Sequence, residues 1–363
     1  MFSAAPRANR SAVVDEDGIE LACYSREHHR ADGGSVSAAF IDLFAERRTA
    51  ASVLLRGTDG FGAGKARGGR SPSLTDDPPL TAAAVDTRGN IEGLLSEALR
   101  LAGPRLVTLG RVRLLTGEIG LVSLGEYPGE ATRLTLYCGR QDRVYQVPAY
   151  EAACELLYRR GIAGATVLSG IDGTCLGRRE RAQFLRHNAD VPLVITAVGA
   201  GERIAILLPE LGGLFRHPLM TVAKVGLRER EGEFVCRPPL EADGDALARA
   251  DMAALVRLTV YTSEAARHDG QPVHQVIVRR LRSAGFSGAT SVRGIWGFHR
   301  DHAPHGDHFP RRGHHLPVVT TVIDTPERMS AAFDIIDPLT ATRGLVTAEA
   351  VMTFRPGAVP HVR

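Results

Sequence analysis

The chain has 363 residues, 44% of them hydrophobic, and a formal net charge of only +3 with basic and acidic residues interleaved, a pattern that argues against a nucleic-acid-binding surface. No apolar run approaches the roughly 18 residues of a membrane helix, and the N-terminal residues lack the apolar core of a signal peptide. Five Cys without a CxxC pair read as reduced thiols, so a cytoplasmic protein is expected.

Residues 1–17 read as a disordered tail. A first unit, 18–116, opens with a strand closed by Tyr24; Ser35 is placed to cap a helix, but Arg48 stands where a helix-stopping Gly would serve. A strand follows at 51–57, then a Gly-rich loop at 58–76, a strand from Pro79, a helix over 88–101 and a strand over 106–115. The second unit, 131–228, begins with the alternating run 132–138. Pro148 opens a helix to about Arg160 with Tyr150, Cys154 and Leu157 as its buried stripe, and Gly161 stops it. Next come a strand at 164–170, a loop at 171–189, a strand from Pro192, a helix over 200–214 and a strand over 219–227. Residues 229–253 form a linker with a hairpin at Glu231-Gly232. The third unit, 254–356, runs the same way: Tyr261, a helix from Pro272 to Gly285 burying Val273, Val276, Ile277 and Leu281, then a strand at 288–294 and a loop at 295–314. It ends with a strand from Pro317, a helix over 326–337 and a strand over 345–354.

The landmarks keep step. Tyr24, Tyr137 and Tyr261 are each followed after 33 residues by Gly57, Gly170 and Gly294. Pro79, Pro192 and Pro317 and then Thr108, Thr221 and Thr347 follow at offsets that differ by one residue at most. This is one unit written three times. Its βαββαβ order predicts an α+β fold: an antiparallel sheet with two helices on one face, the ferredoxin-like split motif. Such sheets need a partner for their open face, and three tandem copies can pack around a three-fold axis as a monomeric, single-chain pseudo-trimer.

Several constellations could carry chemistry. The first loop, GTDGFGAGKARGGR, misses the Walker spacing, with Asp59 where a Gly is needed and Ala66 where Ser or Thr would hold magnesium. The turns Gly170–Gly173 and Gly294–Gly297 permit close approach of another chain or a ligand, or else mark a β-bulge. Arg178 and Arg179 offer partners to phosphate or carboxylate. His299, His302, His305 and His308 recur every third residue with Asp301 and Asp307 among them, a set suited to a divalent metal. The same His, with Arg300 and Trp296, could instead contact an anion or stack on a base. No GxSxG, HExxH or Cys–His spacing is present, so an enzyme is not expected.

The segments GIAGATVLSGIDG and LPELGGLFRHPLMTVAKV in the second unit resemble the PII-like domain of unknown function 190. So do GFSGATSVRGIWGFHRDHAPHGDHF and LPVVTTVIDTPERM in the third. The first unit resembles it less closely. The resemblance implies a trimer of ferredoxin-like domains with a small ligand, often a nucleotide, in the clefts between them. It also implies long T-loops, here 58–76, 171–189 and 295–314, that engage a partner such as an ion transporter. The ligand set expected is Gly170, Asp172, Gly173, Arg178, Arg179, Gly294, Trp296, Gly297, His299 and Arg300. Because the copies differ, their clefts should be unequal, with the third loop the leading candidate and the second next. A divalent metal on His299, His302, His305 and His308 is the alternative.

Overall fold

The computed structural model describes residues 14–31, 34–62, 77–124, 130–175, 178–181, 191–228, 251–299, 303–306, 316–341 and 344–354. In copy one, β1 (Val14–Arg26) leads through α1 (Val36–Glu46) to β2 (Ala51–Arg56), β3 (Asp59–Phe61) and β4 (Pro79–Thr87), then α2 (Arg88–Ala102) and β5 (Val107–Thr116). Copy two repeats this as β6 (Glu130–Gly139), α3 (Ala149–Arg159), β7 (Gly164–Ser169), β8 (Asp172–Cys175), β9 (Pro192–Gly199), α4 (Gly201–Gly213) and β10 (Leu219–Arg228). Copy three follows with β11 (Met252–Ser263), α5 (Val273–Ser283), β12 (Ala289–Arg293), β13 (Trp296–His299), β14 (Pro317–Asp324), α6 (Met329–Thr340) and β15 (Leu345–Phe354).

Within each copy the last strand pairs with the first, the first with the strand opened by the landmark Pro, and that strand with the one after the first helix. All these pairings are antiparallel. Strand periodicity sorts the side chains. In β6, Leu134, Leu136 and Cys138 join the core under α3 and α4. The alternate residues Arg133, Thr135 and Tyr137 face the other copies. Matching cores lie under α1 and α2, and under α5 and α6.

The copies are joined by strand pairing in one repeated register. Leu114 of β5 pairs with Thr221 of β10, Leu227 of β10 with Thr347 of β15, and Thr353 of β15 with Thr108 of β5. A second ring of pairings uses the loop bases: Cys175 with Ala51, Phe61 with Ala289, and His299 with Gly164. Both rings close on themselves.

Three local expectations change. Val14–Asp17, read as tail, already belong to β1 because their backbone pairs with Arg113–Thr116. The bases of the three long loops are strands, since each finds an edge on a neighbouring copy that local sequence cannot reveal. The helix stop of copy one also persists: Arg48 itself takes φ 51°, matching Gly161 (74°) and Gly285 (73°). The same closing bond forms in each copy, from Thr49, Ile162 and Phe286 N–H to the carbonyls of Phe44, Leu157 and Leu281. The hairpin expected at Glu231-Gly232 and the Gly-rich stretch 63–76 lie outside the described residues.

Candidate functional site

Where the copies meet, a buried charge cluster forms that the sequence reading did not single out. Arg133 Nη2 donates to Glu20 Oε2 and Glu349 Oε2, each at 3.0 Å. Arg257 donates through Nε to Glu349 Oε1 at 2.9 Å and through Nη1 to Glu20 Oε1 at 2.6 Å. Glu20, Arg133 and Arg257 occupy one repeat position, four residues before the landmark Tyr. Glu349 stands where the other copies carry Gly110 and Ala223. Three like charges at that position would repel in a low-dielectric interior, whereas two Arg and two Glu neutralise one another. Burial pushes the Glu20 carboxyl up, but Arg257 and Arg133 outweigh it and hold the group down at about 2. The alignment of the copies carried this signal: Glu, Arg, Arg at one position.

The three clefts between copies have diverged. Between copies one and two, Ala51, Val85, Leu114 and Leu219 pack into a closed apolar cluster, with Leu114 3% and Leu219 0% exposed. Ser52 Oγ and Thr174 Oγ1 lie 2.8 Å apart and lock its strands together. Between copies three and one, the Arg282 guanidinium sits 5.2 Å over the Phe61 ring and Nη2 donates to the Gly60 carbonyl at 2.8 Å. Between copies two and three, Leu227 and Leu345, the counterparts of Leu114 and Leu219, are only half buried. A cavity of about 730 Å³ opens there. Tyr158 and Phe298 meet edge to face at 5.4 Å on one wall. Thr166, Thr196 and Thr262 line it with hydroxyls, and Arg159 and His299 add basic groups. Its size and mixed lining are those of a small-molecule site.

Of the residues expected to bind ligand, the structure brings His299 to this cavity. The four glycines serve strand packing. A Cβ on Gly173 would stand 2.3 Å from the Ser52 carbonyl oxygen, one on Gly297 2.3 Å from that of Ala165. At Gly170 it would meet Val53 at 2.7 Å, and at Gly294 Pro317 at 2.8 Å. Asp172 is buried and accepts from the Gly173 N–H at 2.9 Å. Trp296 lines a different groove, beside Tyr150 at 6.1 Å. Arg178 and Arg179 lie on a short strand paired with β8. Arg300, His302 and His308 lie outside the described residues, as do the side chains of Arg178 and Arg179. His305 pairs across from Gly297. Among the described residues no group of three or more His, Cys, Asp or Glu is arranged to hold a metal. No helix of the described residues is long and apolar enough to cross a membrane.

Among solved structures, the crystal structure of aspartate kinase from Synechocystis is 11% identical, with a TM-score of 0.23. The match covers 93% of this chain and 45% of the kinase, so the chain spans less than half of that protein's length. The likeness is too loose to carry an argument. The family model for DUF190, described as Uncharacterized ACR, matches residues 18–114, 131–227 and 255–353. Those three matches follow the three copies described above, and the chain belongs to the DUF190 family.

Proposed function

We propose that the chain is a PII-like regulatory protein, a single-chain pseudo-trimer of ferredoxin-like domains that binds a small ligand between copies two and three. The observation that carries this reading is the cavity of about 730 Å³, whose wall includes Phe298 and His299 at the root of the third loop. A ligand there touches the base of the T-loop, so its presence changes which loop arrangement is favoured. Aromatic rings, threonine hydroxyls and two basic side chains suit a planar ligand bearing an anionic group, and a nucleotide is the class we favour. The loop then reports occupancy to a protein partner, for which an ion transporter is the proposal the family resemblance supports. The role is binding rather than catalysis.

The test is a thermal-shift and calorimetric screen of the full chain against adenine mononucleotides and cyclic nucleotides. Saturable stabilisation that grows with ligand concentration is expected by mass action. Leu345→Trp, which fills the cavity from copy three, should abolish it. The reading fails if no nucleotide stabilises the protein, or if the folded variant binds one with unchanged affinity.

A further inference from the structure

Triplication makes each copy a control for the other two, and two departures from the shared pattern converge on one place. At one pair of repeat positions, copies one and three carry Asp32-Gly33 and Asp269-Gly270, while copy two carries Tyr145-Gln146, in the turn before its first helix. Asp-Gly is the dipeptide such a tight, left-handed hairpin turn favours. Tyr145 and Gln146 nonetheless hold φ of 46° and 74°, matching 49° and 76° at Asp269 and Gly270. That conformation costs a non-glycine residue on the order of 1 kcal/mol. It leaves the Tyr145 side chain 97% exposed beside the half-exposed Val147. The second departure is in copy three: Trp296 stands where copies one and two place the buried Asp59 and Asp172.

Tyr145 and Trp296 are 151 positions apart by their numbers and line the same groove, of about 470 Å³, between copies two and three. Leu156 and Pro304 supply apolar contact, and Glu151 and Glu155 supply carboxylates. The Glu155 carboxylate is held by Arg159 at 2.6 Å, an exposed pair that exchanges easily. Glu151 forms no ion pair among the described residues. The Trp296 Nε1 is buried and has no hydrogen-bond partner among them.

Aromatic faces beside carboxylates are the chemistry that holds an organic cation. We propose that this groove is a binding site for a small alkylated ammonium ion, with Tyr145 and Trp296 against its methyl groups and Glu151 offsetting its charge. The groove shares Arg159 with the wall of the large cavity, but the proposal does not depend on that reading.

Trp296 is the chain's single Trp, so its fluorescence reports the site directly. The full chain would be titrated with choline chloride and tetramethylammonium chloride, with sodium chloride and the neutral isostere 3,3-dimethylbutanol as controls. A saturable change is expected with the two ammonium ions alone. Tyr145→Ala should weaken binding about tenfold, and Glu151→Gln several-fold. The pair Tyr145→Asn with Gln146→Gly relaxes the turn, so it should raise the melting temperature while losing affinity. Unsaturable change matched by sodium chloride would overturn the proposal. So would equal binding of the neutral alcohol, or unchanged affinity in both Tyr145 variants.

Discussion

Arg133 and Glu349 are separated by 216 positions and joined by a 3.0 Å charge-assisted hydrogen bond, which ties copy two to copy three at the heart of the molecule. Arg257 grips the other oxygen of the same carboxylate at 2.9 Å. Because Glu20 completes the set, each of the three copies contributes charge to one neutral cluster. An identical repeat would place the same sign three times at this position. Divergence of the copies is therefore a condition of the buried interface, and one continuous chain guarantees that the right combination assembles.

Removing one member should be costly, because it strands an uncompensated charge. Glu349→Gln or Arg133→Met is expected to lower stability by about 3–5 kcal/mol in denaturant unfolding. A neutral replacement of all four residues by apolar side chains of similar volume should cost far less. If the single changes were silent, the cluster would have no bearing on assembly.

Acid should act through the same group. The Glu20 carboxyl is held at about 2 in the folded chain against 4.5 ordinarily, so its contribution is complete above about 4.5. It is lost as pH falls from there toward 2, and amounts to on the order of 3 kcal/mol. Chemical unfolding measured across that window should show the loss. Glu20→Gln should flatten it.

Arg48 occupies the left-handed position that Gly161 and Gly285 fill in the other copies. Arg48→Gly should therefore stabilise the protein by about 0.5–1 kcal/mol, read as a raised melting temperature. An unchanged or lowered melting point would show that the Arg side chain contributes more than its backbone costs.

Gly297→Ala should do the opposite. Its Cβ would sit 2.3 Å from the Ala165 carbonyl oxygen, on the strand pair that joins copies two and three. A loss of about 2–4 kcal/mol is expected. Gly93→Ala, on an exposed helical position with nothing within 4 Å, should gain up to about 1 kcal/mol and serves as the control.

The leucines of the clefts offer a comparison inside one molecule. Leu219→Ala in the closed cleft should cost about 2–5 kcal/mol, and Leu345→Ala in the open one about 1 kcal/mol or less. Equal losses would mean that the open cleft is closed in solution.

Much of the fold was legible before any coordinates. The offsets from Tyr24, Tyr137 and Tyr261 marked three copies, and the strand and helix order followed from alternation, Pro starts and Gly stops. The site was less legible. The turns at Gly170–Gly173 and Gly294–Gly297 permit approach of another chain or of a ligand by sequence alone, and the structure sets a strand of a neighbouring copy against Gly173 and Gly297. Nothing in the sequence marked Tyr158, Phe298 and Leu345 as cavity residues, since an aromatic ring or Leu looks the same in a core as in a cavity wall. What distinguished them was comparison between copies: the position of Leu345 holds a fully buried Leu219 in copy two.

The linear chain by itself determined the number of repeats, their internal order and the alternation that separates helix-facing from centre-facing side chains. These are local properties, set by backbone periodicity and turn chemistry within a few residues. Only the tertiary structure decided which edges pair between copies, that Arg133, Arg257, Glu20 and Glu349 share one interior, and which cleft stays open. Those outcomes depend on volume and charge summed over residues hundreds of positions apart, and no window of sequence contains that sum.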